Sequence, residues 1–169
     1  MPELTFTCID RDDKDTLSAL GDLWYRAYYS NGPLAPLSNG EASAEVFACA
    51  ETSLWRLTGW YERSLVSMAF GVHARENDGA GPPIPGHLLI RFVAVDAPFC
   101  NRGFGRETVS GLLSLARERG FSEAQLWVAI SNVRARQLYE RLGFRLSGRR
   151  KLDERGELIS HLTASVGSA

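Results

Sequence analysis

The sequence predicts a mixed α/β domain in which antiparallel strand pairing dominates. Apolar or alternating runs typical of strands are interleaved with segments of helical spacing, which gives the order β-α-α-β-β-β-α-β-α-β-β. Two strand pairs are joined by turns of only a few residues. Neither a repeat nor a long linker is visible, so we expect one domain over residues 1–169, with its core at about 4–165.

The first half of the chain is predicted to open with a strand at Leu4–Ile9, followed by a helix that starts at the acidic stretch 12–15. Glycine and proline predict the loops of this half, and aromatic and aliphatic runs predict its strands. Its further elements are a loop at Asn31–Asn39, a helix at Ala42–Thr52, a hairpin of Leu54–Tyr61 with Ser64–Val72, and a long loop at His73–Gly86.

The second half begins with an apolar run, His87–Val95, that is typical of a buried strand. Gly143 is predicted to end the last helix as its C-cap. The remaining elements are a helix at Glu107–Arg117, a strand at Gln125–Ile130, a helix at Asn132–Leu142, and a final hairpin of Phe144–Lys151 with Leu158–Ser165.

Composition narrows the class of protein. Apolar residues make up 44% and charged residues 23%, and the formal net charge of −1 offers no bulk attraction to nucleic acid or anionic membranes. No apolar run approaches the ~20 residues of a membrane-spanning helix, and Met1–Asp10 lacks the apolar centre of a signal peptide. Cys8, Cys49 and Cys100 show no CxxC spacing, so we expect a reduced, cytoplasmic protein without a metal site.

The segment from Val95 to Thr108 carries the strongest chemical signal. It links a predicted buried strand to a predicted helix through a turn that contains Gly103 and Gly105. The first N–H groups of a helix lack internal partners and lie at the positive end of its dipole, and glycine lets such a backbone approach an anion. The segment therefore predicts a site for a phosphate-bearing ligand.

Two common phosphate-binding motifs fit this segment poorly. A P-loop needs lysine and a hydroxyl after its last glycine, whereas Gly105 is followed by Arg106 and Glu107. A dinucleotide fingerprint needs a third glycine where Thr108 stands, in a parallel β-α-β unit near the start of the chain. Both interpretations are disfavoured.

A third interpretation rests on two motifs. Gly103-Phe104-Gly105 resembles the acyl-CoA-binding turn of the GNAT superfamily of N-acetyltransferases, in which Gln/Arg-x-x-Gly-x-Gly/Ala joins the fourth strand to the third helix. The stretch Asn132–Phe144 is similar to that family's Asn-x-x-Ala-x-x-Leu-Tyr-x-x-x-Gly-Phe. The resemblance implies the GNAT fold, a central mixed, mostly antiparallel sheet of about seven strands flanked by about four helices.

The resemblance also implies direct transfer of an acetyl group from acetyl-CoA to a primary amine in a ternary complex, with no metal. Cys100 departs from the family's Gln or Arg, so we expect backbone N–H groups, assisted by Arg102 and Arg106, to hold the pyrophosphate. Asn132 is assigned to the cofactor by the resemblance and is equally suited to capping its helix. The full set of expected cofactor-binding residues is Val93, Ala94, Val95, Cys100, Asn101, Arg102, Gly103, Phe104, Gly105, Arg106 and Asn132.

Two residues are candidates for catalysis. Tyr139 matches the family's tyrosine that gives a proton or a hydrogen bond to the leaving thiolate, and a phenol is neutral at pH 7. The alternative is a tyrosine that only packs its ring. His87 is the nearest titratable base on the fourth strand, with an ordered water relay as the alternative. The thioester oxygen gains negative charge and needs a fixed donor; in the family this donor is a backbone N–H of the fourth strand, which the resemblance places near Val93 or Ala94.

The acceptor site is predicted from the fourth strand and the first helix. Strand alternation puts His87, Arg91 and Val93 on one face unless a bulge intervenes. Arg91 is predicted either to bind an acidic group of the acceptor or to pair with an acid of a neighbouring helix. Tyr28 and Tyr29 are the other candidates, because the first helices wall the acceptor site in the family.

These assignments favour a small-molecule N-acetyltransferase. An enzyme acting on protein N-termini or lysines stays open, and a silent acyl-CoA-binding module is disfavoured by the presence of Tyr139. The near-neutral charge does not support a nucleic-acid acceptor. Dimers are common in the family, so a homodimer is the protein partner that the resemblance suggests.

Overall fold

The computed structural model of the chain describes residues 1–30 and 38–167, except for the side chains of residues 29 and 30. The helices of this part are α1 Lys14–Ser30, α2 Asn39–Thr52, α3 Phe104–Glu118 and α4 Val133–Arg141. The strands are β1 Thr5–Cys8, β2 Trp55–Tyr61, β3 Ser64–Arg75, β4 Pro83–Val95, β5 Glu123–Ala129, β6 Arg145–Leu152 and β7 Leu158–Ser165. Two short 3₁₀ turns lie at Asn77–Gly79 and Ala97–Phe99.

The seven strands form one sheet in the order β1-β2-β3-β4-β5-β7-β6. Neighbouring strands are antiparallel except for β4 and β5, which are parallel. Parallel neighbours need a crossover connection, and α3 supplies it between these two strands. The predicted fold class, a mixed and mostly antiparallel sheet flanked by four helices, is confirmed.

Two apolar cores hold the helices against the sheet. Val109 and Leu112 of α3 belong to the core that contains Phe144 and residues of β2, β3, β4, β5 and β7. Leu17 and Leu20 of α1 belong to the other core, which joins α1 and α2 to β3 and β4. The spacing of three residues within each pair keeps the apolar side chains on one helix face, so each helix lies flat on its side of the sheet.

The sheet opens between its two middle strands. β4 and β5 are paired over three residues only, His87–Leu89 against Glu123–Gln125. Beyond this point β4 stays paired with β3 as far as Val95, and β5 stays paired with β7 as far as Ala129. The facing edges of β4 and β5 therefore carry backbone N–H and C=O groups without a strand partner, which are available to a ligand.

A bulge interrupts β4 within this opening. Between Arg91 and Ala94, β4 has two residues, Phe92 and Val93, where β3 has the single residue Ala69. Phe92 adopts φ 56°, in the left-handed region that costs a residue with a side chain roughly 1–2 kcal/mol. Bulges change the direction of side chains, and here Phe92 packs on the α1 side of the sheet and Val93 on the α3 side.

The predicted long loop at His73–Gly86 is wrong. β3 continues to Arg75 and β4 begins at Pro83, so only residues 76–82 connect the two strands. On the β5 side, β4 has no strand partner before His87. Proline has no backbone N–H. Because no neighbouring strand needs one on that side, prolines fit this part of β4 without the loss of a ladder hydrogen bond.

The predicted loop at Asn31–Asn39 lies mostly outside the described residues, since 31–37 are not among them. Asn39 already belongs to α2, which starts earlier than predicted because of a capping box. The Glu41 N–H donates to Ser38 Oγ at 3.1 Å, and the Ser38 N–H donates to the Glu41 carboxylate at 2.7 Å. This reciprocal pair satisfies two donors that a helix start otherwise leaves unpaired.

Candidate active site

A cavity of about 1010 Å³ occupies the opening between β4 and β5. Its lining includes residues from both apolar cores, so it passes from one face of the sheet to the other. Sequence-predicted residues from distant parts of the chain meet there: Tyr28, Arg91, Val93, Asn132 and Tyr139. Another depression, of about 520 Å³ near the end of β1, contains none of the predicted site residues.

The predicted cofactor turn lies at the end of β4. Gly103 caps α3 with φ 83°, and a Cβ there would meet no atom within 4 Å, so glycine serves the left-handed backbone rather than a close contact. The Glu107 N–H donates to the Gly103 carbonyl at 3.1 Å, whereas no carbonyl of the described residues accepts from residues 104–106. Unpaired donors at a helix N-terminus are the kind of arrangement in which proteins bind anions, so the predicted phosphate site stays a prediction that this geometry allows.

Two contacts fix this turn against α4. A Cβ on Gly105 would come within 3.0 Å of Leu138 Cδ1 and 3.5 Å of Val95 Cγ2, so the first turn of α3 packs closely on its neighbours. Asn101, with φ 66°, accepts a hydrogen bond from the Arg134 guanidinium through Oδ1. α3 and α4, which lie on the same face of the sheet, therefore both hold the turn in place.

The side chains of the turn leave ligand binding mainly to the backbone. The Cys100 thiol lies 3.8 Å from the Val95 carbonyl oxygen, so it faces the protein's own backbone. Arg102 is exposed, and its guanidinium carbon lies 5.3 Å from the centre of the Phe99 ring. Arg106 is also exposed. Both residues are neighbours in sequence of the free N–H groups, and their charges add positive potential to this part of the surface.

Tyr139 is buried on α4, with its ring centre 5.8 Å from that of Phe144. Its hydroxyl makes no hydrogen bond within residues 1–30 and 38–167, and the residue lines the cavity. Burial raises the pKa of Tyr139 well above the ordinary value of a tyrosine, so the phenol stays protonated at neutral pH. Asn132, also in the lining, caps α4 by accepting from the Ala135 N–H at 3.2 Å.

Arg91 lies beside the bulge and lines the cavity. Its guanidinium carbon lies 5.3 Å from the centre of the Phe92 ring, which in turn packs edge-on against Trp24 at 4.9 Å. Arg91 forms no ion pair with any described carboxylate. The bulge also moves Val93 to the α3 side, so the predicted common face of His87, Arg91 and Val93 ends before Val93.

His87 does not line the cavity. It lies at the end of β4 that is still paired with β5, and its Nδ1 is 3.6 Å from the Glu123 carboxylate. The structure therefore does not bring His87 together with Arg91 and Tyr139.

The acceptor side of the cavity has an aromatic wall on α1. Tyr28 lies 6.1 Å from Trp24, between ring centres. Burial raises the pKa of Tyr28, and nearby carboxylates, among them Glu45, act in the same direction while Arg155 opposes them. The side chain of Tyr29 lies outside the described part of the chain.

Sequence reasoning missed several cavity residues. Glu45 and Arg155 both line the cavity. They come together because β7 lies between β5 and β6 in the sheet, and this spatial order of strands cannot be read from the chain. Gln125 and Trp127 also line it. These two could have been found, because strand alternation puts them on the face opposite to the buried Leu126.

The connection between β3 and β4 also reaches this region. Asp78 accepts from Lys151 Nζ at 2.8 Å and lies 3.5 Å from Arg149 Nη2, so it joins the connection to β6. Lys151 Nζ lies 4.4 Å from the centre of the Trp127 ring. All four residues line the cavity.

Comparison with known proteins agrees with this geometry. Residues 19–144 match the family model described as the acetyltransferase (GNAT) family. An uncharacterised N-acetyltransferase of Methanocaldococcus jannaschii is 36% identical over 55 residues, which are 32% of this chain. The match spans only 24% of the length of that relative. Within residues 1–30 and 38–167, no helix is long and apolar enough to cross a membrane.

Two solved structures share the fold over nearly the whole chain. The ribosomal-protein-S18-alanine N-acetyltransferase of Escherichia coli is 20% identical with a TM-score of 0.72, and the alignment covers 99% of this chain and 96% of that one. The yncA protein of Salmonella typhimurium, solved with its cofactor acetyl-CoA, is 16% identical with a TM-score of 0.73 and covers the same shares, 99% and 96%. At these identities the likeness is one of fold.

Proposed function

The chain belongs to the acetyltransferase (GNAT) family, and on that premise we propose that it transfers an acetyl group from acetyl-CoA to a primary amine of a small-molecule acceptor. The transfer is direct, within a ternary complex. The observation that carries the proposal is the cavity through the opened sheet, which has Tyr139 and Arg91 in its lining. The glycine-capped N-terminus of α3 lies beyond the end of β4, the strand that borders this cavity.

Successive features along the opening suit successive parts of the acetyl-CoA molecule. The unpaired N–H groups of residues 104–106, with Arg102 and Arg106, suit the pyrophosphate. The free edge of β4 from Ile90 to Val95 suits the amide groups of the pantetheine arm, which can pair with it as an added strand does. When bound, acetyl-CoA supplies the activated thioester.

The bulge of β4 supports the assignment of an oxygen-binding donor. We assign this role to the N–H of Val93 or Ala94, because the negative charge that develops on the thioester oxygen needs a fixed donor. Two residues of β4 stand opposite one of β3 at this point, so the regular ladder is interrupted there. An interrupted ladder is where a backbone N–H of β4 is free to serve a ligand instead of β3.

Tyr139 is assigned as the acid. The amine nitrogen forms a bond to the acetyl carbon, the carbon–sulfur bond breaks, and the sulfur takes the phenolic proton of Tyr139. Burial keeps the phenol protonated throughout the neutral pH range, so its O–H is always present as a hydrogen-bond donor to the departing sulfur. The proton that the amine loses returns to the phenolate through water.

A water relay is assigned as the base. His87 was the sequence-based candidate, but it pairs with Glu123 at the closed end of β4 and outside the cavity lining. Polar groups of the lining, among them Gln125 and Ser131, can order water next to the amine. Deprotonation by water needs no further titratable group on β4.

Arg91 and Tyr28 are assigned to the acceptor, together with the predicted Tyr29. Arg91 is a cation of the lining without a described anionic partner, so an acidic group on the acceptor would complete it. The aromatic rings of Tyr28 and Trp24, tilted by 55° to each other, add an aromatic wall to the acceptor side. The acceptor that fits is a small amine with a carboxylate or phosphate.

Two measurements test the proposal. Acetyl-CoA at saturating concentration should raise the melting temperature by ligand linkage. If the melting temperature does not rise, the proposal that the protein uses acetyl-CoA is contradicted. A library of amines and peptides is then screened for release of free CoA. Release with small amines supports the proposal, release with peptides alone supports the protein-acetyltransferase alternative, and binding without release supports the silent module.

A further inference from the structure

The turn between β6 and β7 is joined to α2 by an ion pair. Arg155, at the tip of this turn, pairs through Nη2 with the Glu45 carboxylate of α2. The two side chains are 25% and 30% exposed, so solvent screens this pair less than one at the open surface. It is also a long-range contact that closes the chain over the acceptor side of the cavity.

Two aromatic residues of α1 support the same pair. The Trp24 indole N–H donates to the other oxygen of Glu45 at 3.4 Å. The Arg155 guanidinium carbon lies 5.1 Å from the centre of the Tyr28 ring, within the range of a cation–π contact. Three separate parts of the chain thus meet at one point on the rim.

The turn presents Arg155 from a fixed backbone. Asp153 Oδ1 accepts from the N–H groups of Arg155 and Glu157, at 2.8 Å each. The Asp153 N–H donates to the Glu157 carbonyl at 2.8 Å. Because the turn is already ordered, little conformational entropy is lost when Arg155 meets Glu45.

We propose that Glu45 and Arg155 form a clasp across the acceptor side of the cavity, and that this clasp restricts the acceptor to small molecules. The inference rests on the proposed function and deepens it, because it names the feature that excludes peptides. Both clasp residues line the cavity that also holds Arg91 and Tyr139. An extended peptide crossing this rim must break the ion pair, whereas a small amine fits behind it.

Cys49 reports on passage through the clasp without any knowledge of the acceptor. It follows Glu45 by four residues, so the two share a face of α2. It lines the cavity and is only 4% exposed. Cys8 is exposed and lies outside this cavity, so it provides an internal control in the same molecule.

The first experiment measures alkylation of both thiols by iodoacetamide, with quantification of each cysteine peptide by mass spectrometry. In Arg155→Ala and Glu45→Ala we expect Cys49 to react about fivefold faster than in the wild type, since a half-buried ion pair no longer holds the rim closed. Cys8 should react at an unchanged rate. Glu154→Ala, in the same turn but without an ion pair among the described residues, is the matched control. An unchanged Cys49 rate in both clasp variants overturns the proposal.

The second experiment compares kcat/KM for free amino acids with that for pentapeptides bearing the same N-terminal residue. Opening the clasp should raise the peptide-to-amino-acid ratio about fivefold or more, with the KM for acetyl-CoA unchanged. A wild type that transfers to small amines, but whose ratio is the same in the clasp variants, overturns the clasp alone. A wild type that prefers peptides also overturns it, and a wild type that binds acetyl-CoA but transfers to neither set overturns the proposed function itself.

Discussion

Arg26 of α1 donates to both carboxylate oxygens of Asp96, through Nε and Nη2 at 3.0 Å each. Asp96 directly follows the last residue of β4 and caps the 3₁₀ turn Ala97–Phe99, and its carboxylate also accepts from the Ala97 N–H at 3.1 Å. Its own N–H donates to the Val66 carbonyl at 2.8 Å. The helix that carries the acceptor wall is therefore joined directly to the turn assigned to the pyrophosphate.

We expect Asp96→Asn and Arg26→Ala to weaken acetyl-CoA binding about three- to tenfold, because a bidentate charged contact that positions the turn is lost. Calorimetric titration with acetyl-CoA measures this. Asp78→Asn is the control, because its ion pair with Lys151 lies away from the turn. Equal dissociation constants for the three variants and the wild type would leave the Arg26–Asp96 pair a purely structural role.

Tyr139→Phe should lower kcat roughly 10²-fold, in keeping with the contribution of a positioned acid, while the dissociation constant of acetyl-CoA stays the same. The ring and its contact with Phe144 are kept in this variant, so only the donor is removed. Steady-state rates and acetyl-CoA titration on the same preparation separate the two effects. Full turnover in the variant would return Tyr139 to a packing role.

Arg91→Ala should lower kcat/KM for acceptors with a carboxylate or phosphate about 10-fold or more, while neutral amines of the same size change little. The ranking of acidic against neutral acceptors is the measurement. Arg75→Ala is the matched control, since Arg75 also lines the cavity and donates to the Gly81 carbonyl. An unchanged ranking in Arg91→Ala would remove Arg91 from the acceptor site.

His161 should make the fold sensitive to mild acid. Its ring is buried between Ser147 Oγ, 2.8 Å from Nδ1, and Gln125 Oε1, 2.9 Å from Nε2. Burial, with a smaller contribution from Arg149, lowers the pKa of His161 below its ordinary value of about 6.5. The unfolded chain therefore takes up this proton first as the pH falls, so the stability that the neutral ring provides is present above about pH 6.5 and is lost below it.

Melting temperatures of the wild type and His161→Gln, measured from pH 7.5 to pH 5, test this. The variant should be less stable at pH 7.5 and should lose less stability than the wild type as the pH is lowered. His73→Gln removes an exposed imidazole, so it serves as the reference for the effect of losing any imidazole on the pH dependence. Parallel curves for His161→Gln and the wild type would contradict the assignment.

Most of the helices and strands could be predicted because each is encoded locally, whereas the extension of β3 and β4 into the predicted loop His73–Gly86 was not predicted. The hairpin of β6 and β7 and the glycine stop at Gly143 follow from neighbouring residues, and the structure has them within a residue or two of the predicted limits. The bulge at Phe92 could not be predicted, because it depends on how β3 pairs with β4 rather than on the composition of β4.

The acceptor rim could not be predicted for a related reason. Glu45 and Arg155 lie 110 residues apart, and they meet because β7 runs beside β5 and places its turn above α2. Arg91 was recognisable as unusual, since a charge that is buried within an apolar strand needs a partner. In the structure Arg91 is exposed, so its charge is solvated where it lines the cavity. Only the three-dimensional arrangement shows that none of the described carboxylates pairs with it.

The short contact between β4 and β5 also bears on how the molecule holds together. Strands β1 to β4 come from residues 5–95 and strands β5 to β7 from residues 123–165, so each half of the sheet is one uninterrupted piece of chain. Within the sheet, only three residue pairs join the two pieces, and α3 is the crossover between them. A ligand that lies along both free edges would join the two pieces. We then expect the backbone amides of both pieces to exchange with solvent together, as one cooperative unit.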